Sequence, residues 1–144
     1  MRAVIDTCVW VAAIRSRRGA SFAILSEISH GRFRFGISVP LFLEYQAGMH
    51  AARAAGDVTL SSGQAGAILA ALAHFGVEVP IYYRLRPNLK DENDNMVFEC
   101  AANFGADVIV THNVRDFKSP EVRGYDIEIL RPGEFLRRLL SKVR

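Results

Sequence analysis

Cysteine is scarce in this chain. Cys8 and Cys100 are the only two in 144 residues. Both lie inside apolar segments, and no Cys/His spacing resembles a zinc site. They read as buried, reduced thiols that behave as small hydrophobes. Long hydrophobic runs are also missing. The apolar N-terminus MRAVIDTCVWVAAIRSRR is interrupted by Asp6, has no small-residue cleavage site and reaches no membrane-spanning length. The expectation is a soluble cytoplasmic protein that crosses no membrane. Charge of one sign is barely in excess: 18 Lys and Arg against 15 Asp and Glu leave +3, with a pI of 9.1. That balance is compatible with a nucleic-acid partner and demonstrates none. No repeat, low-complexity tract or linker divides the chain, so one domain over residues 1–144 is expected. What the chain does have is 50% apolar and 23% charged residues, enough for a real core.

Alternating strand and helix signals run the length of the sequence. Ala3, Val4 and Ile5 form a short apolar strand ending in Asp6, and Val9, Trp10, Ala13 and Ile14 then make a helical stripe. A basic turn holds Arg15, Arg17 and Arg18. Residues 21–29 read as a helix with Phe22, Leu25 and Ile28 inward and Gly31 as its stop. A strand is expected over 33–39, and Pro40 then starts a helix carrying Leu41, Phe42, Glu44 and Tyr45. The Ala/Gly-rich stretch 47–57 reads as a helix end and a connection. Ser61 or Ser62 caps a helix with Ile68, Leu69, Leu72 and Phe75 at helical steps, ended by Gly76. A third strand is expected over 77–82, then a basic loop with Arg84, Arg86 and Lys90.

The stretch LKDENDNMVFECAANFGADVIVTHNVRDF organises the rest. Met96, Val97, Cys100, Ala101 and Phe104 share a helical face, and Gly105 is its left-handed stop. Residues 107–111 are β-branched and almost wholly apolar, as a strand covered on both faces should be. A polar loop, 112–116, follows. Residues 127–130 read as the last strand. Pro132 opens a terminal helix with Phe135, Leu136, Leu139 and Leu140 inward. About five strands alternating with six or seven helices predict a three-layer α/β/α sandwich with a mainly parallel sheet.

Five carboxylates fall at expected strand ends or helix starts: Asp6, Glu44, Asp91, Asp94 and Asp116. Each alone has a bland role. Asp6, Asp91 or Asp94 can cap a helix, Glu44 can be a solvated helix residue, and Asp116 can fix a turn. Ligands of open α/β sheets sit beyond the carboxyl ends of the strands, so these acids can share one crevice. Carboxylates gathered there repel one another unless a divalent cation neutralises them. Mg²⁺ or Mn²⁺ suits such oxygen donors, and with flanking arginines the set points to metal-dependent phosphoryl chemistry.

The pieces VIDTCVWVAAI, SVPLFLEY, DENDNMVFECAANFGADVIVTHNVRDF and IEILRPGEFLRRL, in this order over residues 3–139, resemble PIN-domain proteins. They are similar in particular to the toxin components of toxin–antitoxin systems (VapC-like). The resemblance implies a parallel α/β/α fold whose acids bind Mg²⁺ or Mn²⁺ to cleave RNA. By motif, Asp6 corresponds to the family's first acid, Glu44 to its helix glutamate and Asp94 to the acid of its D-x-x-D motif, with Asp91 peripheral. Asn113 stands where a fourth acid is usual. It brings a carbonyl oxygen but no charge, and Asp116 either compensates or only orders the loop. Cys8 replaces a frequent Asn and Glu92 a frequent proline. The implied catalytic set is Asp6, Glu44, Asp94 and Asn113, with Asp91 and Asp116 as further metal ligands and Thr111 positioning water or a phosphate oxygen.

Arg15, Arg17, Arg84, Arg86 and Arg115 are candidates for the RNA backbone, or solvated charges. His112 is expected to be structural or exposed in its loop, and Trp10 and Phe42 to belong to the core. A homodimer and a cognate protein antitoxin are the partners the resemblance implies, with Trp10 or Phe22 as candidate contacts. The basic end 137–144 could meet RNA, an acidic antitoxin or nothing. The alternative is a PIN-like module that binds RNA or protein without cutting, its site weakened by Asn113. An acid-pocket signalling receiver is a poor match, because Val79-Pro80-Ile81 supplies no phosphoacceptor Asp at a strand end.

Overall fold

The computed structural model describes residues 1–85, 89 and 91–142. Arg86, Lys90 and Arg144 lie outside the described residues. Among those described, five strands form one all-parallel sheet in the order β3-β2-β1-β4-β5. They are β1 (Arg2–Ile5), β2 (Arg34–Ile37), β3 (Val77–Glu78), β4 (Val108–Val110) and β5 (Glu128–Leu130). β1 pairs with both β2 (Ala3 opposite Phe35) and β4 (Ile5 opposite Val110). Its Ala3, Val4 and Ile5 are fully buried, as a central parallel strand demands. Strand order runs outward from β1 in both directions, so the topological switch point lies between β1 and β4.

The helices are α1 (Thr7–Arg15), α2 (Ala20–Glu27), α3 (Val39–Ala54), α4 (Ser62–Phe75), α5 (Glu92–Phe104), the short α6 (Pro120–Arg123) and α7 (Pro132–Ser141). They cover both faces of the sheet. On one face Phe35 meets Trp10 of α1 edge-on, with ring centroids 6.0 Å apart, and Phe33 meets Phe135 of α7 at 5.2 Å. On the other, Gly36 leaves room for Phe104 of α5, whose ring would lie 2.7 Å from a Cβ there. Tyr45 of α3 donates its hydroxyl to the carbonyl of Ile5, tying that helix to the central strand.

Local signals placed most element ends. Ser38 and Ser61 cap α3 and α4, the latter in a reciprocal box with Gln64. Gly105 ends α5 at φ 69°, a left-handed conformation that costs any side chain about 1 kcal/mol or more. Four expectations are corrected. β3 stops at Glu78 rather than running to Tyr82: after Val79 N donates to Ile37 O (2.9 Å), Pro80 has no N–H to continue the ladder. α3 continues to Ala54 through the stretch expected to be a connection. Its Gly48 is not a breaker; a Cβ there would come within 2.6 Å of Thr7, so the glycine admits α1. On α2, Ile24 is the fully buried residue, with Phe22 and Leu25 only half-buried. Phe75 and Leu140, expected inward, are 42% and 46% exposed. Both cysteines are free, Cys100 buried and Cys8 half-buried. No described helix is long and apolar enough to cross a membrane.

Candidate active site

The site grows from the way β1 and β4 end side by side. Asp6 N donates to Val110 O and Thr111 N to Leu130 O, each at 2.9 Å. The residues that follow the two strands are thereby held level at the carboxyl edge of the sheet, at the switch point. Asp6 takes the N-cap position of α1, yet its carboxylate caps nothing. Instead it is 1% exposed and held from both sides. Thr111 Oγ1 donates to Oδ2 at 2.7 Å, and Asn93 Nδ2 donates to Oδ1 at 3.0 Å. Asn113 N in turn donates to Thr111 Oγ1 (3.0 Å). Thr7 Oγ1 donates to Asn93 Oδ1 (3.4 Å), which turns the amide so that Nδ2 faces Asp6. The Cys8 thiol lies 3.5 Å from Asp6 Oδ2. Burial, and next the Asp6 charge, push its pKa up to about 12.

The first turn of α5 brings the other acids. Asp91 is its N-cap and accepts from Asn93 N at 3.1 Å, so the capping role open to it is filled. Asp94, one turn in, is 3% exposed, and its Oδ2 has no hydrogen-bond partner among the described residues. Burial pushes the Asp94 carboxyl up to about 7, and the charges of Asp6, Asp116 and Asp91 push the same way. These four aspartates, with Asn113 and Arg15, line one cavity of about 350 Å³. Asp116 belongs to a 3₁₀ turn, Val114–Phe117, that follows β4.

The structure does not put every expected residue there. Glu44 is half-buried on α3 and does not line this cavity. It stands one turn before Gly48, the residue packed on Thr7, and so on the flank of the site. Arg15 reaches the cavity but pairs with Asp57 at 3.1 Å. Arg84 lines a separate cleft with Glu78 and Glu99. Arg115 lies in a shallow groove beside the acids, and Arg17 is exposed in its turn. His112 Nε2 is 3.5 Å from Ser21 Oγ, and Trp10 is buried in the core.

Among the described residues, no three His, Cys, Asp or Glu side chains stand close enough together to hold a metal ion as they are. The fit to a divalent cation rests on the Asp94 oxygen, buried without a partner and facing further carboxylates. Burying an ionised carboxylate unpaired is expensive, and a cation removes that penalty. Asn93 was not foreseen from the sequence. Its neighbours in the ENDN run drew attention as acids or caps, and nothing in helical spacing marks an amide that bridges Thr7 to Asp6.

A parallel, doubly wound α/β domain with acids at its switch point is the class these features define. The PIN domain family model matches residues 2–115, and the chain belongs to that family. PIN domains are typically nucleases and generally use divalent metals. No curated protein matches the chain.

Proposed function

We propose that this protein is a Mg²⁺- or Mn²⁺-dependent endoribonuclease that hydrolyses RNA phosphodiester bonds, and the toxin of a toxin–antitoxin pair. The observation that carries the reading is the buried, unpartnered Asp94 oxygen in a cavity shared with Asp6, Asp91 and Asp116. In this reading Asp6 and Asp94 hold the ion, with Asp116 and the Asn113 side-chain oxygen on its open side and Asp91 at the rim. Glu44 contributes from the flank of the site, through water. A divalent ion there would activate water and offset charge on the oxygens of an in-line displacement. Thr111 and Asn93 keep both oxygens of Asp6 aimed, which limits the freedom lost when a ligand arrives. Arg15 and Arg115 stand where a phosphate would approach.

The test is single-stranded RNA incubated with Mn²⁺ or Mg²⁺. Cleavage by the wild type that disappears in Asp6→Asn and Asp94→Asn, with unchanged circular dichroism, is the expected result. Intact RNA with every ion and substrate tried would sink it. The second reading is an RNA- or protein-binding PIN module that does not cut. It is favoured by Asn113 in place of an acid and by Glu44 lying off the cavity wall; retained RNA binding without cleavage would select it. The toxin role and cytoplasmic action predict that expression arrests growth and that a co-expressed small protein partner relieves the arrest. A homodimer and a single folding unit over residues 1–144 belong to the same proposal. Sedimentation tests the first and a single calorimetric transition the second.

A further inference from the structure

Three concavities join end to end at the carboxyl edge of the sheet. The acid cavity shares Asn113 and Asp116 with a groove over the 112–116 loop. That groove shares His112 and Arg131 with a cleft of about 460 Å³ between the end of α1, the start of α2 and the start of α7. Charge changes sign along this line. Four aspartates stand at one end, Arg115 beside Asp116 in the middle, and Arg131 and Arg137 at the other. Glu134 also lines the cleft, 3.9 Å from Arg131 Nη1, too long a contact to immobilise that guanidinium. Arg137 makes no ion pair among the described residues. Small residues, Ala12, Gly19, Ala20, Pro132 and Gly133, are among those lining the cleft, which leaves it room for a base. Ser21, 4% exposed, turns its hydroxyl toward His112 at the cleft wall.

We propose that this cleft is a second nucleotide subsite, holding a phosphate and base of a single-stranded RNA whose neighbouring phosphodiester occupies the acid cavity. The proposal rests on the nuclease reading for the direction of the strand. Its binding argument stands on the cleft alone. A cation in the acid cavity can neutralise only the phosphate beside it, so the next phosphates along the strand need fixed positive groups from the protein. Arg115, Arg131 and Arg137 are ordered along the line in that way. Arg131 and Arg137 lie beyond residues 2–115, the segment that the family model matches.

The test measures anisotropy of a fluorescein-labelled oligouridylate in EDTA over a salt series, with cleavage of the same oligomer in Mn²⁺ followed separately. The variants are Arg137→Ala, the double variant Arg131→Ala/Arg137→Ala, and Arg34→Ala as control, an exposed arginine at the opposite, amino end of the sheet. Removing two phosphate contacts should lower the slope of log K against log salt by roughly 1.5 and weaken binding by about tenfold or more at low salt. Arg34→Ala should stay within about twofold of the wild type, since screening isolates a charge so far from the strand. In cleavage, the double variant should raise KM and leave kcat near the wild-type value. Unchanged affinity and slope in the double variant would overturn the subsite, and so would an equal loss in Arg34→Ala. A wild type that binds through these arginines but never cuts removes the nuclease reading and leaves the subsite standing. Cleavage with unaltered binding in the double variant does the reverse.

Discussion

Asp94→Asn should stabilise the metal-free protein at neutral pH while abolishing its response to metal. In the folded chain the Asp94 carboxyl titrates near 7, against 3.8 for the unperturbed group. Between those values the folded state holds a proton that the unfolded state has released, so stability falls as pH rises through this window. The full difference of about three pH units corresponds to roughly 4 kcal/mol. The cavity opens to solvent, and screening lowers that to about 1–3 kcal/mol. For a chain of this size the gain is on the order of 3–10 °C in Tm. Differential scanning calorimetry in EDTA should give a Tm difference, variant minus wild type, that is near zero below about pH 4 and grows to a plateau above about pH 7. Mn²⁺ should then raise the wild-type Tm at pH 8 and leave Asp94→Asn almost unmoved. A variant less stable than the wild type in EDTA at pH 8 would refute the claim that this carboxylate is strained without a cation.

Thr111→Val removes the hydroxyl that donates to Asp6 and accepts from Asn113 N, leaving a buried carboxylate oxygen short of a donor. A loss of about 1–3 kcal/mol in urea unfolding is expected, and an unchanged midpoint would show that the bond contributes little. Cys8, its thiol held near 12, should react with iodoacetamide at pH 8 at less than about a tenth of the rate of the urea-unfolded chain. Labelling at the unfolded rate would contradict its burial beside Asp6. Gly105→Ala should lower stability by about 1–2 kcal/mol because of the left-handed φ, measured by the same unfolding curves. A neutral result would mean that the turn relaxes. Trp10→Ala empties the space between Phe35 and Tyr45 and should cost about 3–5 kcal/mol in those curves; a loss under about 1 kcal/mol would mean the core closes over the gap.

The parts of the fold readable in advance were those written in short-range chemistry. Strand β4 showed as an unbroken β-branched run because both of its faces are covered. Gly31 and Gly105 marked helix ends because only a residue without a Cβ takes φ near 69° freely. Gly48 carried the same letter and the opposite meaning, a close approach inside a helix, and only the position of α1 tells the two apart. Phe75 and Leu140 obeyed helical spacing yet stayed in solvent, since periodicity gives a face and not what covers it. At the site, the sheet order draws together residues from the ends of two strands and the first turn of a distant helix. Asp6, Asp91, Asp94, Asn113 and Asp116 therefore meet in one cavity. The flank position of Glu44 and the bridging amide of Asn93 depend on how α3 and α5 pack, and no local pattern records that.

Two buried acids, Asp6 and Asp94, are treated in opposite ways. Asp6 is supplied with three internal donors, the Thr111 hydroxyl, the Asn93 amide and the weak Cys8 thiol, which fix its orientation. Asp94, equally buried, is left with an oxygen unmatched. If the chain were selected for stability alone, an Asn or Ser at position 94 would keep the helix start without burying a charge among three other carboxylates. On the proposed metal-dependent reading, the stability disadvantage of this acid would be repaired by a divalent cation sharing the cavity with Asp6. On that reading, affinity for the cation would depend chiefly on Asp94, and its geometry chiefly on Asp6. Calorimetric titration with Mn²⁺ can separate the two. Asp94→Asn should abolish binding, whereas Asn93→Ala, which frees one Asp6 oxygen, should weaken it by roughly 10–100-fold. Equal losses in both variants would mean that the donors around Asp6 are as much a part of the ligand set as Asp94 itself.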